Sequence, residues 1–185
     1  MTILLEVPYV TQLKPGFEDP TGCWYASACM VAYYFGAGPR QGVPEIHSAV
    51  LKGQGWTGFG NTQHLATGSD AAKRAMTWWG KGESEHELLA KREGLVPVPN
   101  CDNPSYAFTV EEIEKLLRAK GPIFMYWTKT SGTSTYGHAS VIIGAYTDKK
   151  LIAYHDPENA PGQVMSIGNF QQQRQAWKYA LMQRG

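Results

Sequence analysis

The sequence is sparing with cysteine, lacks an excess of either charge and has no long apolar run, and each shortage removes a class of protein. Three cysteines, Cys23, Cys29 and Cys101, are too few and odd in number for a disulfide framework. None stands in a paired Cys-x-x-Cys spacing with histidine partners, so no zinc site is expected, and no other metal or cofactor. Seventeen Lys and Arg balance sixteen Asp and Glu to a net charge of +1, without a basic run, which offers no basis for a nucleic-acid or membrane-surface partner. No apolar stretch approaches the roughly 20 residues that span a bilayer. Met1–Val10 contains Glu6 and Pro8 and lacks the basic start and apolar centre of a signal peptide. The settings to expect are the cytoplasm, export without a cleaved signal, or a domain released from a longer polypeptide.

What is present is the material of one packed domain. A chain of 185 residues with 43% apolar content can bury a sizeable core, and residues 1–185 read as a single domain. Ile3–Val10 reads as a short strand, followed by a loop to Gly22. Cys23–Phe35 is apolar almost all round and rich in Ala and Met, which predicts a buried central helix with Cys23 in its first turn. Pro44–Lys52 and Ser69–Trp79 read as helices around a Gly-rich loop, Gly53–Gly68, in which Trp56, Phe59 and His64 could meet substrate. Ser84 with Glu87, and Thr109 with Glu112, are capping boxes opening helices to about Glu93 and over Val110–Lys120. Leu95–Ser105 reads as extended or irregular. Thereafter Pro122–Trp127, His138–Tyr146, Leu151–Asp156 and Val164–Ile167 read as strands, with a polar loop before Gly137 and a last helix over Phe170–Arg184. Helices first and sheet later argue for α+β.

Three residues carry chemistry in this order: Cys23 at a helix start, His138 at a strand start and Asp156 at the end of the next strand. A thiol is mostly protonated at neutral pH, and a helix N-terminus and a neighbouring imidazolium both favour thiolate. Cys29 lies well inside the helix and Cys101 in a Pro-rich segment, so both read as structural thiols. His47 and His86 read as solvated residues on polar helices.

These residues sit in segments that resemble papain-like cysteine peptidases, among them bacterial effector, toxin and bacteriocin-processing domains. Gly22-Cys-Trp-Tyr-Ala-Ser27 resembles their Cys-Trp-Ala-Ala/Ser element, and Val7-Pro-Tyr-Val-Thr-Gln12 the strand and glutamine upstream of it. Thr109–Pro122 is similar to the helix and Gly-Pro before their histidine, Gly137-His-Ala-Ser-Val-Ile-Ile-Gly144 to their Gly-His-Ala-hydrophobic element, and Asp156-Pro157 to their third triad member. The resemblance implies a papain-like fold, with a helical lobe carrying the nucleophile and an antiparallel β lobe. It implies acyl transfer to Cys23 with His138 as base. It also implies that Gln12 and the Cys23 N–H stabilise the oxyanion, and that Trp24 and Gly137 border the substrate. Lys14–Thr21 makes the gap from Gln12 to Cys23 longer than is usual for the family.

The third member turns on register. A turn centred between Asp148 and Lys149 would face Tyr146 with Leu151 and His138 with Asn159, which puts His155 on His138's side of the sheet and Asp156 on the other. A three-residue loop or one bulge shifts the register and restores Asp156. Asp156 is preferred because a carboxylate stabilises imidazolium; Asn159 is the alternative. The expected activity is peptide-bond hydrolysis by a monomer, as an effector or toxin domain acting on a target-cell protein, with a cognate immunity or inhibitor protein as a partner. Competing readings are an amidase, deamidase or acyltransferase acting on another amide such as peptidoglycan, and an inactive binding module.

Overall fold

A computed structural model describes residues 2–13, 22–36 and 85–185. The readings of Pro44–Lys52, Gly53–Gly68 and Ser69–Trp79 as helix, loop and helix, and of Ser84 as a cap, lie outside the described residues. The described elements are β1 (Thr2–Leu4), α1 (Cys23–Tyr34), α2 (Glu85–Glu93), β2 (Leu95–Pro97), α3 (Val110–Lys120), β3 (Ile123–Ser131), β4 (Ser134–Tyr146), β5 (Leu151–His155), β6 (Gln163–Ser166), α4 (Ile167–Gln173) and β7 (Leu181–Arg184). The strands form one antiparallel sheet in the order β2-β7-β3-β4-β5-β6, with β1 also on β4. This is an α+β architecture.

Alternation along β3 and β4 divides the core into two layers. Phe124, Ala139, Val141 and Ile143 pack with Ala26, Cys29, Met30 and Val31 of α1 and Leu89 of α2. Ile123, Met125, Trp127 and Ile142 pack with Val110, Ile113 and Leu117 of α3 and Phe170 of α4. The helix α3 has the full capping box: Thr109 Oγ1 accepts from the Glu112 N–H at 3.1 Å, and Glu112 Oε2 accepts from the Thr109 N–H at 2.8 Å. Gly121 ends it with φ +79, a conformation that favours glycine.

Three expectations are corrected. The polar stretch read as a loop before Gly137 is mostly strand: β3 runs to Ser131, turns through Gly132-Thr133, and β4 begins at Ser134. Gly132 has φ +58, and a two-residue hairpin turn of this kind fits the strand twist. The segment read as a helix over Phe170–Arg184 is a short helix followed by β7, whose Leu181, Met182 and Gln183 are buried between β2 and β3. A strand buried on both faces shows no clear alternation, so tertiary pairing decides it. The first strand is Thr2–Leu4, shorter than Ile3–Val10. Leu95–Pro97 forms a strand at the start of the segment read as extended or irregular.

The hairpin β4–β5 carries the feature that matters most for the site. Tyr146, Ala145 and Gly144 face Leu151, Ile152 and Ala153, but Ile142 faces Tyr154 and Val141 faces His155. Ile143 is therefore an extra residue, a bulge that shifts the register by one. Without it Asp156 would continue opposite Val141; with it Asp156 falls opposite Ser140, on the same face as His138. Gly144 adjoins the bulge where β1 comes close: a Cβ there would stand 2.8 Å from Ile3 O and 3.2 Å from the Ala153 Cβ.

Candidate active site

The helix α1 begins at Cys23 after Gly22, which has no side chain to cap it, and its first turn contains no acidic residue. The N-terminal N–H groups and positive dipole end are thus not neutralised by the helix's own side chains. Cys23 is partly exposed and lies close enough to His138 to act on its ring. His138 is buried in β4, with the edges of Trp127 and Tyr136 near its ring. Its Nε2 meets Asp156 Oδ1 at 2.7 Å, so Nδ1 is the ring nitrogen left for Cys23.

Burial alone would pull the His138 pKa down, but the Asp156 carboxylate and the Cys23 sulfur override it and push the imidazole up to about 9. Burial would likewise raise Asp156, but His138, Lys129 and the Glu158 N–H hold it down at about 2. The couple at neutral pH is therefore imidazolium and carboxylate. Asp156 Oδ1 also accepts from the backbone N–H groups of Glu158 at 3.0 Å and Asn159 at 3.4 Å.

Asn159, the alternative third residue, is exposed and reaches Asp156 through its backbone. His155 points elsewhere: its Nδ1 accepts from the Gly162 N–H at 3.0 Å, so Nε2 carries the proton and donates to Val7 O at 2.9 Å. Gln12 is 1% exposed, and its segment is fastened to the turn after β5. The Gln12 N–H and Thr11 Oγ1 donate to Pro157 O at 2.9 and 3.0 Å, and Tyr9 Oη donates to Asp156 O at 2.9 Å. Residues distant in sequence thus share the Asp156-Pro157 turn. Trp24 is half-buried against the α1 layer, and Gly137 is exposed beside His138, with Gln175 Nε2 4.0 Å from where its Cβ would be.

The other cysteines are placed differently. Cys29 is buried inside α1, and Cys101 is buried with its thiol directed at Lys178 O at 3.2 Å; burial pushes the Cys101 pKa up. His86 is not solvated as expected. It packs edge-on to Tyr126 and Trp177, with ring centroids at 4.3 and 4.2 Å, and burial pulls its pKa down to about 4.

Two charged residues at the site were not singled out in the sequence. Lys129 Nζ donates to Asp156 Oδ2 at 2.7 Å and to Glu158 Oε2 at 2.6 Å, and the Lys129 side chain is 8% exposed. Tyr136 Oη also donates to Glu158 Oε2, at 2.7 Å. His138, Asp156 and Glu158 bring ligand-type atoms within 4.8 Å of one another, and the positive charge lying on its two carboxylates is this ammonium. The only sequence signal was period-two spacing of Lys129 from Trp127, hidden because the segment read as a loop.

A thiol at a helix start, an imidazole on it and a carboxylate behind the imidazole can deliver a thiolate to an amide carbonyl and a proton to the leaving amine. The family model for papain-like cysteine protease AvrRpt2 matches residues 1–175, and the chain belongs to this family of cysteine peptidases.

Proposed function

We propose that Cys23, His138 and Asp156 form the catalytic triad with which this peptidase cleaves a protein substrate. The reading rests on one observation: His138 holds Asp156 with Nε2 at 2.7 Å, which leaves Nδ1 for the nearby Cys23. Cys23 attacks the scissile carbonyl as thiolate, the C–N bond breaks as His138 returns a proton to the amine, and water then releases the acyl group from sulfur. The Cys23 N–H and the Gln12 amide are the oxyanion donors; loss of one such donor costs on the order of 10²–10³ in rate. Gly137 leaves space beside His138 for an extended substrate backbone, and Trp24 borders the nucleophile.

The biological setting that fits family membership is an effector or toxin domain, active as a monomer on a protein of a target cell and held in check by a cognate inhibitor. The test is incubation with a proteome-derived peptide mixture and mapping of new termini by mass spectrometry. New termini with the wild type but not with Cys23→Ala support the peptidase. Ammonia release or peptidoglycan fragments without new peptide termini would move the activity to another amide.

A further inference from the structure

We propose that Lys129 and Glu158 are a charge-balanced positioning pair for the Asp156–His138 couple. Lys129 locks the outer carboxylate oxygen, and Glu158 cancels the charge that Lys129 brings. The proposal rests on the reading of Cys23 and His138 as nucleophile and base.

The two oxygens of Asp156 have separate tasks. Oδ1 meets His138 Nε2 at 2.7 Å and accepts from two backbone N–H groups, whereas Oδ2 receives Lys129 Nζ at 2.7 Å. A carboxylate held on both sides cannot rotate away from the imidazole. A single buried ammonium in that position would carry a penalty, because its field would offset the charge that stabilises imidazolium. Glu158 answers this: its Oε2 takes the same Nζ at 2.6 Å, so the pair adds a donor at Asp156 and little net charge. Tyr136, across the β3–β4 pair from Lys129, fixes Glu158 in turn.

Stability alone does not account for this arrangement. Buried ion pairs are generally no more stabilising than apolar residues of the same volume. A lysine 8% exposed in β3, whose side chain ends on Asp156, reads as an orienting device.

Among the described residues, the titratable and charged groups facing His138 and Asp156 are Cys23, Lys129, Glu158, Tyr136, Tyr154 and Tyr9. The tyrosines stay neutral below pH 10, since burial raises all three, Tyr136 and Tyr154 to about 12. The ionic balance therefore lies with the two carboxylates and Lys129. Removing the cation raises the proton affinity of every neighbour; removing the anion lowers it; removing both leaves it nearly unchanged.

The experiment measures Cys23 alkylation by iodoacetamide from pH 3.5 to 10, with the adduct located by mass spectrometry, so no substrate is needed. The profile has an acid limb from thiolate formation beside imidazolium and an alkaline limb from loss of the imidazolium proton. Lys129→Met should move both limbs up by about one pH unit, Glu158→Gln should move both down by a similar amount, and the double variant should return them near the wild type. Circular dichroism checks folding, and if Lys129→Met does not fold, Glu158→Gln decides. Limbs that stay within about 0.2 pH unit in a folded single variant, or a double variant that fails to restore them, overturn the pair alone. A wild-type Cys23 that labels no faster than an ordinary thiol overturns the reading beneath it as well.

Discussion

Gly144→Ala tests the close approach between β1 and β4 beside the bulge. A Cβ at this position would lie 2.8 Å from Ile3 O, 2.9 Å from the Leu4 Cδ1 and 3.2 Å from the Ala153 Cβ. Ordinary carbon–oxygen contact lies near 3.4 Å, so the Ile3 carbonyl must retreat by about half an ångström. Ile3 is held between the Thr2–Tyr146 and Leu4–Gly144 pairs, and Leu5, just past the strand, donates its N–H to Ile143 O at 2.8 Å, so the whole short strand must move. Overpacking of this kind costs about 1–3 kcal/mol. For a chain of this length that lowers the thermal midpoint by roughly 2–12 °C. Gly168→Ala is the control: it sits in α4 with its nearest neighbour, Ser166 Oγ, 3.8 Å away, and should be neutral or slightly stabilising. The assay is thermal unfolding at 222 nm of both variants at one pH. A Gly144→Ala protein as stable as Gly168→Ala would refute the close approach. Since β1 is short and at an edge, it should yield before the bulge does, and Cys23 alkylation at 25 °C should stay within about twofold of the wild type.

Asp156→Asn keeps the shape of the site and removes the charge behind His138; kcat on a cleaved peptide should fall by roughly 10²–10⁴ with little change in KM, whereas Asn159→Ala should stay within about threefold. Equal effects would unseat Asp156 as the orienting group. Arg174 donates to Cys101 O, Asn103 O and Tyr106 O, fastening that loop to the segment before β7. Asn103 O keeps the Tyr106 N–H as a donor, but Arg174→Met removes the guanidinium from Cys101 O and Tyr106 O and should cost about 3 kcal/mol, read as a lower urea midpoint at unchanged slope. A midpoint shift equivalent to less than about 1 kcal/mol would refute that role. His86 has its pKa lowered by burial to about 4, so the unfolded chain binds the proton first and stability falls as pH drops from about 6.5 toward 4. His86→Phe removes that loss: its thermal midpoint relative to the wild type should be higher at pH 5 than at pH 7.5. An equal difference at both pH values would refute the assignment.

Much of this protein was legible in its sequence, for local reasons. Cys23–Tyr34 is helical because it is apolar and free of breakers, and Val110–Lys120 because Thr109 and Glu112 cap it; both signals act over a few residues. The order of Cys23, His138 and Asp156 along the chain likewise pointed to thiol chemistry. What lay beyond the sequence depended on contacts between distant segments. β7 is a strand because it fills the gap between β2 and β3, where pairing and burial override helical composition. Lys129 is a site residue because β3 extends four residues past Trp127 and β4 begins four before His138, which directs its ammonium to Asp156. His155 or Asp156 behind His138 is likewise a question of one residue of register, and the bulge at Ile143 answers it. Sequence thus determined which residues could do the chemistry, because helix starts, caps and motifs are local. Only the tertiary structure decided which of them meet, because side chains alternate across a sheet and a single extra residue exchanges its two faces.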